Sequence, residues 1–372
     1  MRFDDVVVLV PGFLGFSRLG GFYYFAERVV ATLRGALEAM TGRTIPVIPV
    51  SALPTDHLAN RQRWLANSLT GLCERMGGVG RLHLVGHSAG GVDAQLLTCA
   101  RPLVHKHWSI DAERMRARIT TVVGIAAPHH GTCLSNAPLA KLLADPLKQL
   151  SSSPIEQVAV LPSLARQLVD LWGLASSESS VLYTPALSRL QDILRFVTAV
   201  ARHRGLIDDL APRAMAATRR HWGKGEVMLR SFVTVAPLSP TADPFFHDLY
   251  RLTSTITGAP SSELLTRAMV LLRERAASAI CSSKDIPVFD ELANDGVVNS
   301  ARQLVDPDDP DELAGIVVAD HADVLGHYDR EDMFMDGAPL NLGLFHSGAG
   351  FTDNEFYTLY HRVAAILAAR MR

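Results

Sequence analysis

Arg81-Leu82-His83-Leu84-Val85-Gly86-His87-Ser88-Ala89-Gly90-Gly91-Val92 decides how the rest of the chain is read. An apolar, β-type run meets Gly-x-Ser-x-Gly, and a helix-compatible run follows. That is the sequence form of a strained strand-to-helix turn with a serine at its apex. The turn brings its two arms close together, so Gly86 and Gly90 stand where a larger side chain would clash. The peptide N–H after the serine points to where an oxyanion could form.

Working outward, the same strand–turn–helix grammar recurs. Val6 to Val10 is a continuous β-branched and leucine run, expected of a strand buried on both faces. Pro11-Gly12-Phe13-Leu14-Gly15-Phe16 breaks it, and the aromatics Phe22 to Phe25 follow. Helix is predicted over about Ala26–Met40, strand over Thr44–Val50. Leu58, Leu65, Leu69, Leu72 and Met76 mark one face of an amphipathic helix that Gly77-Gly78 ends. After the serine turn, helix is predicted over Val92–Ala100 and strand over Ile119–Ala126, leading into Pro128-His129-His130-Gly131-Thr132. Leu229–Ala236 and Gly315–Ala319 read as further strands. Helices are predicted over Pro244–Thr257, Ser261–Ser278 and Asn354–Arg370. Polar motifs sit after strand ends, the edge where open α/β sheets build sites. The expected fold class is therefore α/β, with a mostly parallel central sheet flanked by helices.

From Ser135 to Lys224 the strand signal lapses. Ala137–Leu150, Ile155–Gly173 and Ala186–Ala201 read as helices, with Leu187, Leu190, Leu194 and Val197 on one face. An all-helical insertion between motif-bearing strands is a candidate cap or lid. The expected organisation is a core of residues 1–134 and 225–372 with a cap of 135–224.

Composition narrows the function classes. The 372 residues are 48% hydrophobic and 20% charged, with a formal net charge of −2. No strong field invites nucleic acid or an anionic membrane. Cys73, Cys99, Cys133 and Cys281 are scattered without a CxxC pair, so a metal site built from them is not expected, and reduced thiols are favoured over a Cys133–Cys281 bridge. No apolar run reaches membrane-spanning length, and Val6–Val10 is too short for a signal-peptide core. A soluble protein is expected, cytoplasmic as given or secreted from a precursor whose leader has been removed.

A serine needs a base to become nucleophilic, and the base needs a partner that holds its tautomer. On this kind of sheet the chain order is serine, acid, histidine. Ser88, Asp295 in Asn294-Asp295-Gly296-Val297-Val298, and His321 in Asp320-His321-Ala322-Asp323 satisfy that order. Among other candidates, His327 is a rival base and Asp290 a rival acid. His129 and His130 are expected to be structural. His87 is expected to pack, pointing away into the turn.

These motifs resemble those of the bacterial true lipases of the α/β-hydrolase superfamily, of the kind found in Pseudomonas and Burkholderia. Leu84 to Gly91 is similar to their serine elbow, although Ala89 stands where they usually carry Gln. Ala127-Pro128-His129-His130-Gly131-Thr132 is similar to their Pro-His-Arg-Gly turn. Asn294 to Val298 is similar to their acid motif, and His321-Ala322-Asp323-Val324 to their histidine motif. Val10-Pro11-Gly12-Phe13 replaces their Val-His-Gly-Leu, with Pro11 in place of a histidine. The resemblance covers most of residues 6–135 and 229–372, and leaves out the cap.

The resemblance implies a lipase or esterase acting through an acyl-enzyme on a small-molecule ester or a lipid, at a lipid–water interface in the lipase case. Ser88 would be nucleophile, His321 base, Asp295 its orienter, and the Phe13 and Ala89 N–H groups the oxyanion hole. Leu14, Phe16 and Tyr23 would line the substrate pocket. The chemistry needs no cofactor. A structural calcium is the family's one metal, for which Asp323 matches one ligand and Asp285 is the candidate second. An acyltransferase using the same acyl-enzyme, or a non-catalytic lipid-binding protein, are the alternatives.

Overall fold

A computed structural model describes residues 3–13, 15, 17–19, 22–99, 103, 110–136, 205–222, 226–240, 242, 244–254, 263–281, 287–328, 334–335, 338–339 and 347–371. In chain order the strands are β1 (Phe3–Val10), a small hairpin of β2 (Arg18–Leu19) and β3 (Phe22–Tyr23), β4 (Val47–Pro49), β5 (Val79–His87), β6 (Ile119–Ile125), β7 (Met228–Val235), β8 (Leu313–Val318) and a second hairpin of β9 (Phe334–Met335) and β10 (Ala338–Pro339). The described helices are α1 (Glu27–Thr41), α2 (Leu58–Arg75), α3 (Ala89–Leu96), α4 (Ile110–Arg116), α5 (Gly205–Asp209), α6 (Pro212–Thr218), α7 (Pro244–Ser254), α8 (Glu263–Arg275) and α9 (Asp353–Ala368).

Six strands form one sheet in the order β4-β1-β5-β6-β7-β8, and every neighbouring pair is parallel. The β1 run Val6–Val10 is fully buried and divides by parity, because successive strand side chains point to opposite faces. Val7 and Leu9 pack with Val29, Leu33 and Leu37 of α1 and Phe356, Leu359 and Val363 of α9. Val6, Val8 and Val10 pack with Leu65, Leu69 and Leu72 of α2. A continuous apolar run is thus what a strand between two helical layers requires. Each of these large side chains contributes roughly 1.5–3 kcal/mol by leaving water. A third apolar cluster, under α8, joins Val233 and Val235 of β7 to Ile316 and Val318 of β8.

The helix ends follow local chemistry. Gly42 closes α1 in the left-handed region at φ 67°, its N–H donating to Glu38 O. Thr352 and Glu355 form a capping box at the start of α9. The α/β class expected from the sequence is what the chain adopts, with differences at boundaries. Pro46 delays β4 to Val47. The helix after the serine begins at Ala89 rather than Val92, because the turn itself is its N-cap. The helix α4 has no counterpart in the sequence reading.

The insertion between β6 and β7 is helical where it is described. It opens with a 3-10 turn at Cys133–Asn136 and closes with α5, α6 and a 3-10 turn at Arg219–His221. The helices expected over Ala137–Leu150, Ile155–Gly173 and Ala186–Ala201 lie outside the described residues. The two described ends meet, since Thr132 N–H donates to Leu210 O at 2.9 Å. All four cysteines are free thiols, so Cys133 and Cys281 are not bridged. Among the described residues no helix is long and apolar enough to cross a membrane.

Candidate active site

Ser88 sits between the end of β5 and the start of α3 with φ 53° and ψ −134°. A side-chain-bearing residue held there costs about 1–3 kcal/mol. The surroundings leave the turn little freedom. A Cβ on Gly86 would come within 2.4 Å of Gly90 O, and one on Gly90 within 2.2 Å of Val10 O. Ser88 N–H donates to Ile125 O on the neighbouring strand at 2.9 Å. The crowding that demands two glycines therefore also lifts the serine clear of the sheet.

His321 comes from the end of β8, whereas Asp295 lies in a turn between α8 and β8 that is held to the end of β7 by the bond from Ala236 N–H to Asn294 O at 2.9 Å. The His321 N–H donates to Asp295 O at 2.9 Å. Its Nδ1 lies 2.8 Å from Asp295 Oδ2 and its Nε2 2.9 Å from Ser88 Oγ. A carboxylate only accepts, so Nδ1 carries the proton and Nε2 is free to take one from the serine. Asp295 occupies a turn in which Gly296 adopts φ 94°. Its Oδ1 accepts from Val297 N at 2.9 Å and Val298 N at 2.7 Å. Its Oδ2 also accepts from Thr234 Oγ1 at 2.6 Å and Gln303 Nε2 at 3.2 Å. Asp295 is fully buried, and these donors replace the water it has lost.

Phe13, after the end of β1, packs against the cluster that contains Ala89 and Val92 of α3. The Ala89 N–H is a first-turn amide of α3, without an intrahelical acceptor. The loop carrying Phe13 is held from below by Arg61 of α2. Arg61 Nη2 donates to Pro11 O at 3.3 Å and Gly12 O at 3.2 Å, and to Asp93 Oδ2 of α3 at 2.5 Å. Both side chains of this pair are fully buried. Burial pushes the Asp93 carboxyl up despite the guanidinium beside it. Nothing in the sequence spacing announced Arg61, Asp93, Thr234 or Gln303. Arg61 is 32 positions from Asp93 and Thr234 is 61 from Asp295. Gln303 is only 8 from Asp295, but it is an ordinary polar residue until the 3-10 turn at Ser300–Gln303 brings it to the carboxylate.

The remaining candidates are placed as follows. Tyr23 is on β3, where its carbonyl accepts from His327 Nε2 at 2.9 Å. His327 is thus engaged away from Ser88, and Asp290 caps its own turn by accepting from Leu292 N. His129 and His130 are buried. Burial, then Arg219, lowers the His129 pKa to about 3 and holds that of His130 well below its ordinary value. Arg219 donates to His130 Nδ1 at 2.7 Å. His87 departs from expectation: its ring turns toward His321, with the ring centroids 4.7 Å apart. Leu14, Phe16 and Asp285 lie outside the described residues.

Asp323 is buried and bonds its own turn, Oδ2 accepting from Asp320 N at 2.9 Å. Among the described residues no group of three or more His, Cys, Asp or Glu side chains is arranged to hold a metal ion.

Fold and site together define an α/β-hydrolase architecture with a serine, a histidine and an aspartate in hydrogen-bond contact at its elbow. Three solved bacterial structures are similar in fold. EstA from Clostridium botulinum superposes with a TM-score of 0.50 at 17% identity, over 98% of this chain and 87% of that one. The Staphylococcus hyicus lipase gives 0.49 at 17% identity, over 98% and 96%. Lipase 1 from Pelosinus fermentans gives 0.48 at 15% identity, over 98% and 99%. No family model matches the chain, and no curated protein matches it. At 17% identity the likeness to EstA shows a shared fold and nothing finer. It does not single out the Pseudomonas and Burkholderia group.

Proposed function

We propose that the protein is a serine carboxylic-ester hydrolase, a lipase or esterase. The observation that carries the reading is the line Asp295 Oδ2–His321 Nδ1, His321 Nε2–Ser88 Oγ, at 2.8 and 2.9 Å, ending on a serine whose strained φ places it at the N-cap of α3. Ser88 Oγ attacks the acyl carbonyl while His321 Nε2 takes its proton. The Phe13 and Ala89 N–H groups receive the developing oxyanion, and Asp295 stabilises the imidazolium. The carbonyl re-forms, the bond to the alcohol oxygen breaks, and His321 protonates that oxygen. Water then attacks the Ser88 ester with the roles reversed. Every proton moves between protein groups, substrate and water, so the chemistry draws on no cofactor. The substrate class is a small-molecule ester or a lipid, with residues 135–224 as a cap over the site and Leu14, Phe16 and Tyr23 along the acyl path. The affinity with the Pseudomonas and Burkholderia lipases belongs to this proposal, resting on the four motifs.

Ser88→Ala tests it. Hydrolysis of p-nitrophenyl esters should fall by about 10⁴-fold or more, with the unfolding midpoint shifted little. Residual activity within a few-fold of the unaltered chain would overturn the assignment.

A further inference from the structure

His87 stands directly before Ser88, and its ring is buried. Burial, and after it the His321 ring, hold its pKa well below the ordinary value, so the ring is neutral and carries one proton. Its Nε2 lies 2.8 Å from the carbonyl oxygen of His321. A carbonyl only accepts, which places the proton on Nε2. Nδ1 is then an acceptor, and the Tyr24 hydroxyl, 2.7 Å away, donates to it. That uses the hydroxyl's single proton. The same oxygen lies against the Gly12 backbone, and with its proton already spent it can only accept there, from the Gly12 amide. Each direction in the chain is fixed by the acceptor after it: Gly12 N–H to Tyr24 Oη, Tyr24 O–H to His87 Nδ1, His87 Nε2–H to His321 C=O.

The two ends of this chain matter. Gly12 is covalently bonded to Phe13, and the far end is the main chain of His321. The middle is the residue that precedes Ser88. The space is also tight, since a Cβ on Gly12 would come within 2.6 Å of Ser88 Cβ and 2.7 Å of Tyr24 Oη. On the reading of Ser88, His321 and the Phe13 loop as reacting groups, we propose that Tyr24 and His87 are positioning residues. They form an uncharged hydrogen-bonded strut that sets the oxyanion loop, the serine elbow and the histidine loop relative to one another. The absence of charge is part of the design. A cation in the His87 ring, 4.7 Å from that of His321, would oppose formation of the imidazolium during turnover. A neutral imidazole gives the same donor without that penalty.

The test uses the full chain with Tyr24→Phe, His87→Phe and His87→Gln, with rates expressed per active site titrated by a fluorophosphonate. Tyr24→Phe changes shape least. It should lower kcat about tenfold with KM altered less than about twofold. His87→Phe should lower kcat about a hundredfold, as expected when reacting groups drift by a fraction of an ångström to an ångström. His87→Gln retains an N–H donor for the His321 carbonyl and should recover most of that loss. Nitrogen-15 NMR of labelled imidazoles should show His87 protonated at Nε2 and bare at Nδ1 near neutral pH, whether or not the chain hydrolyses anything. An unchanged kcat per active site in Tyr24→Phe, or a His87 protonated at Nδ1, overturns the strut. An unaltered chain that neither turns over esters nor takes the fluorophosphonate overturns the catalytic reading instead, with the tautomer still reporting on the bonds.

Discussion

Both ends of the parallel sheet carry a carboxylate, an imidazole and a hydroxyl in line. At the carboxyl end of the strands they are Asp295, His321 and Ser88, at 2.8 and 2.9 Å. Toward the amino end they are Asp5, His83 and Thr121. His83 Nε2 lies 3.0 Å from Asp5 Oδ1, and Nδ1 lies 3.2 Å from Thr121 Oγ1. The residue types match, yet the surroundings differ in two ways. Thr121 lies within β6, in register with His83 of β5, and both are 0% exposed. No substrate carbonyl can approach a hydroxyl sealed in this way. Ser88 stands beyond its strand on a strained turn, against the first amides of a helix. The second difference is charge. Asp5 also binds Arg81 at 2.8 Å and Arg43 at 3.0 Å. Its charge is already shared between two guanidiniums. Among the described residues Asp295 receives, apart from His321, neutral donors only. Its charge is therefore available when His321 becomes cationic. An Asp–His–hydroxyl line can thus be plain polar packing; access, backbone strain and a carboxylate not shared with arginines set the Ser88 line apart.

The contrast can be broken at each carboxylate. Asp295→Asn should lower kcat about 10⁴-fold by favouring the wrong His321 tautomer, measured on a soluble ester beside a check of the unfolding midpoint. A loss smaller than tenfold would mean that Asp295 is not what orients the base. Asp5→Asn should leave kcat/KM within about twofold and destabilise the fold by about 1.5–3 kcal/mol in urea titration, because the charged hydrogen bonds of the buried carboxylate to His83, Arg81 and Arg43 are weakened or lost. Burial pushes the Asp5 carboxyl up, but bonds from His83 and Arg81 outweigh it, and its pKa lies below the ordinary value. A group lowered on folding stabilises the protein above its unfolded pKa, near 3.9, and that stability is lost as pH falls through the folded value. Below about pH 4 the difference between Asp5→Asn and the unaltered chain should therefore shrink. The smallest and sharpest comparison is one substitution made at both ends. Thr234→Val and Thr121→Val each remove a hydroxyl from a buried network, for about 1 kcal/mol of stability. Thr234→Val should also lower kcat about tenfold, through the lost bond to Asp295 Oδ2, whereas Thr121→Val should leave kcat unchanged.

The strands and the serine turn were legible because their signals are local. Val6–Val10 reads as a doubly buried strand from five consecutive residues, and Gly86 and Gly90 mark the close approach that their absent Cβ atoms permit. Asp295 and His321 were legible as candidates from chain order, although among the described residues only His321 directly follows a strand, Asp295 lying in a turn between α8 and β8. The donors around Asp295 were not. Thr234 and Gln303 are ordinary polar residues in sequence, and only the β7 edge and the 3-10 turn at Ser300–Gln303 bring them to one carboxylate. His87 was misread for a related reason. Its neighbours in the chain suggest a packing residue, whereas its partners are 63 and 234 positions away.

Hydrophobic periodicity and glycine placement, each set within a few residues, determined that this chain builds a parallel sheet with a serine at a strand-to-helix turn. The tertiary structure alone showed that a second Asp–His–hydroxyl line, Asp5–His83–Thr121, exists and is tied to arginines, and that the Asp295 carboxylate is held, apart from His321, by neutral donors among the described residues. The reason is physical. Local pattern sets which face of an element is apolar, but the burial and charge around a titratable group are summed over residues far apart in the chain. Those sums exist only once the elements have packed.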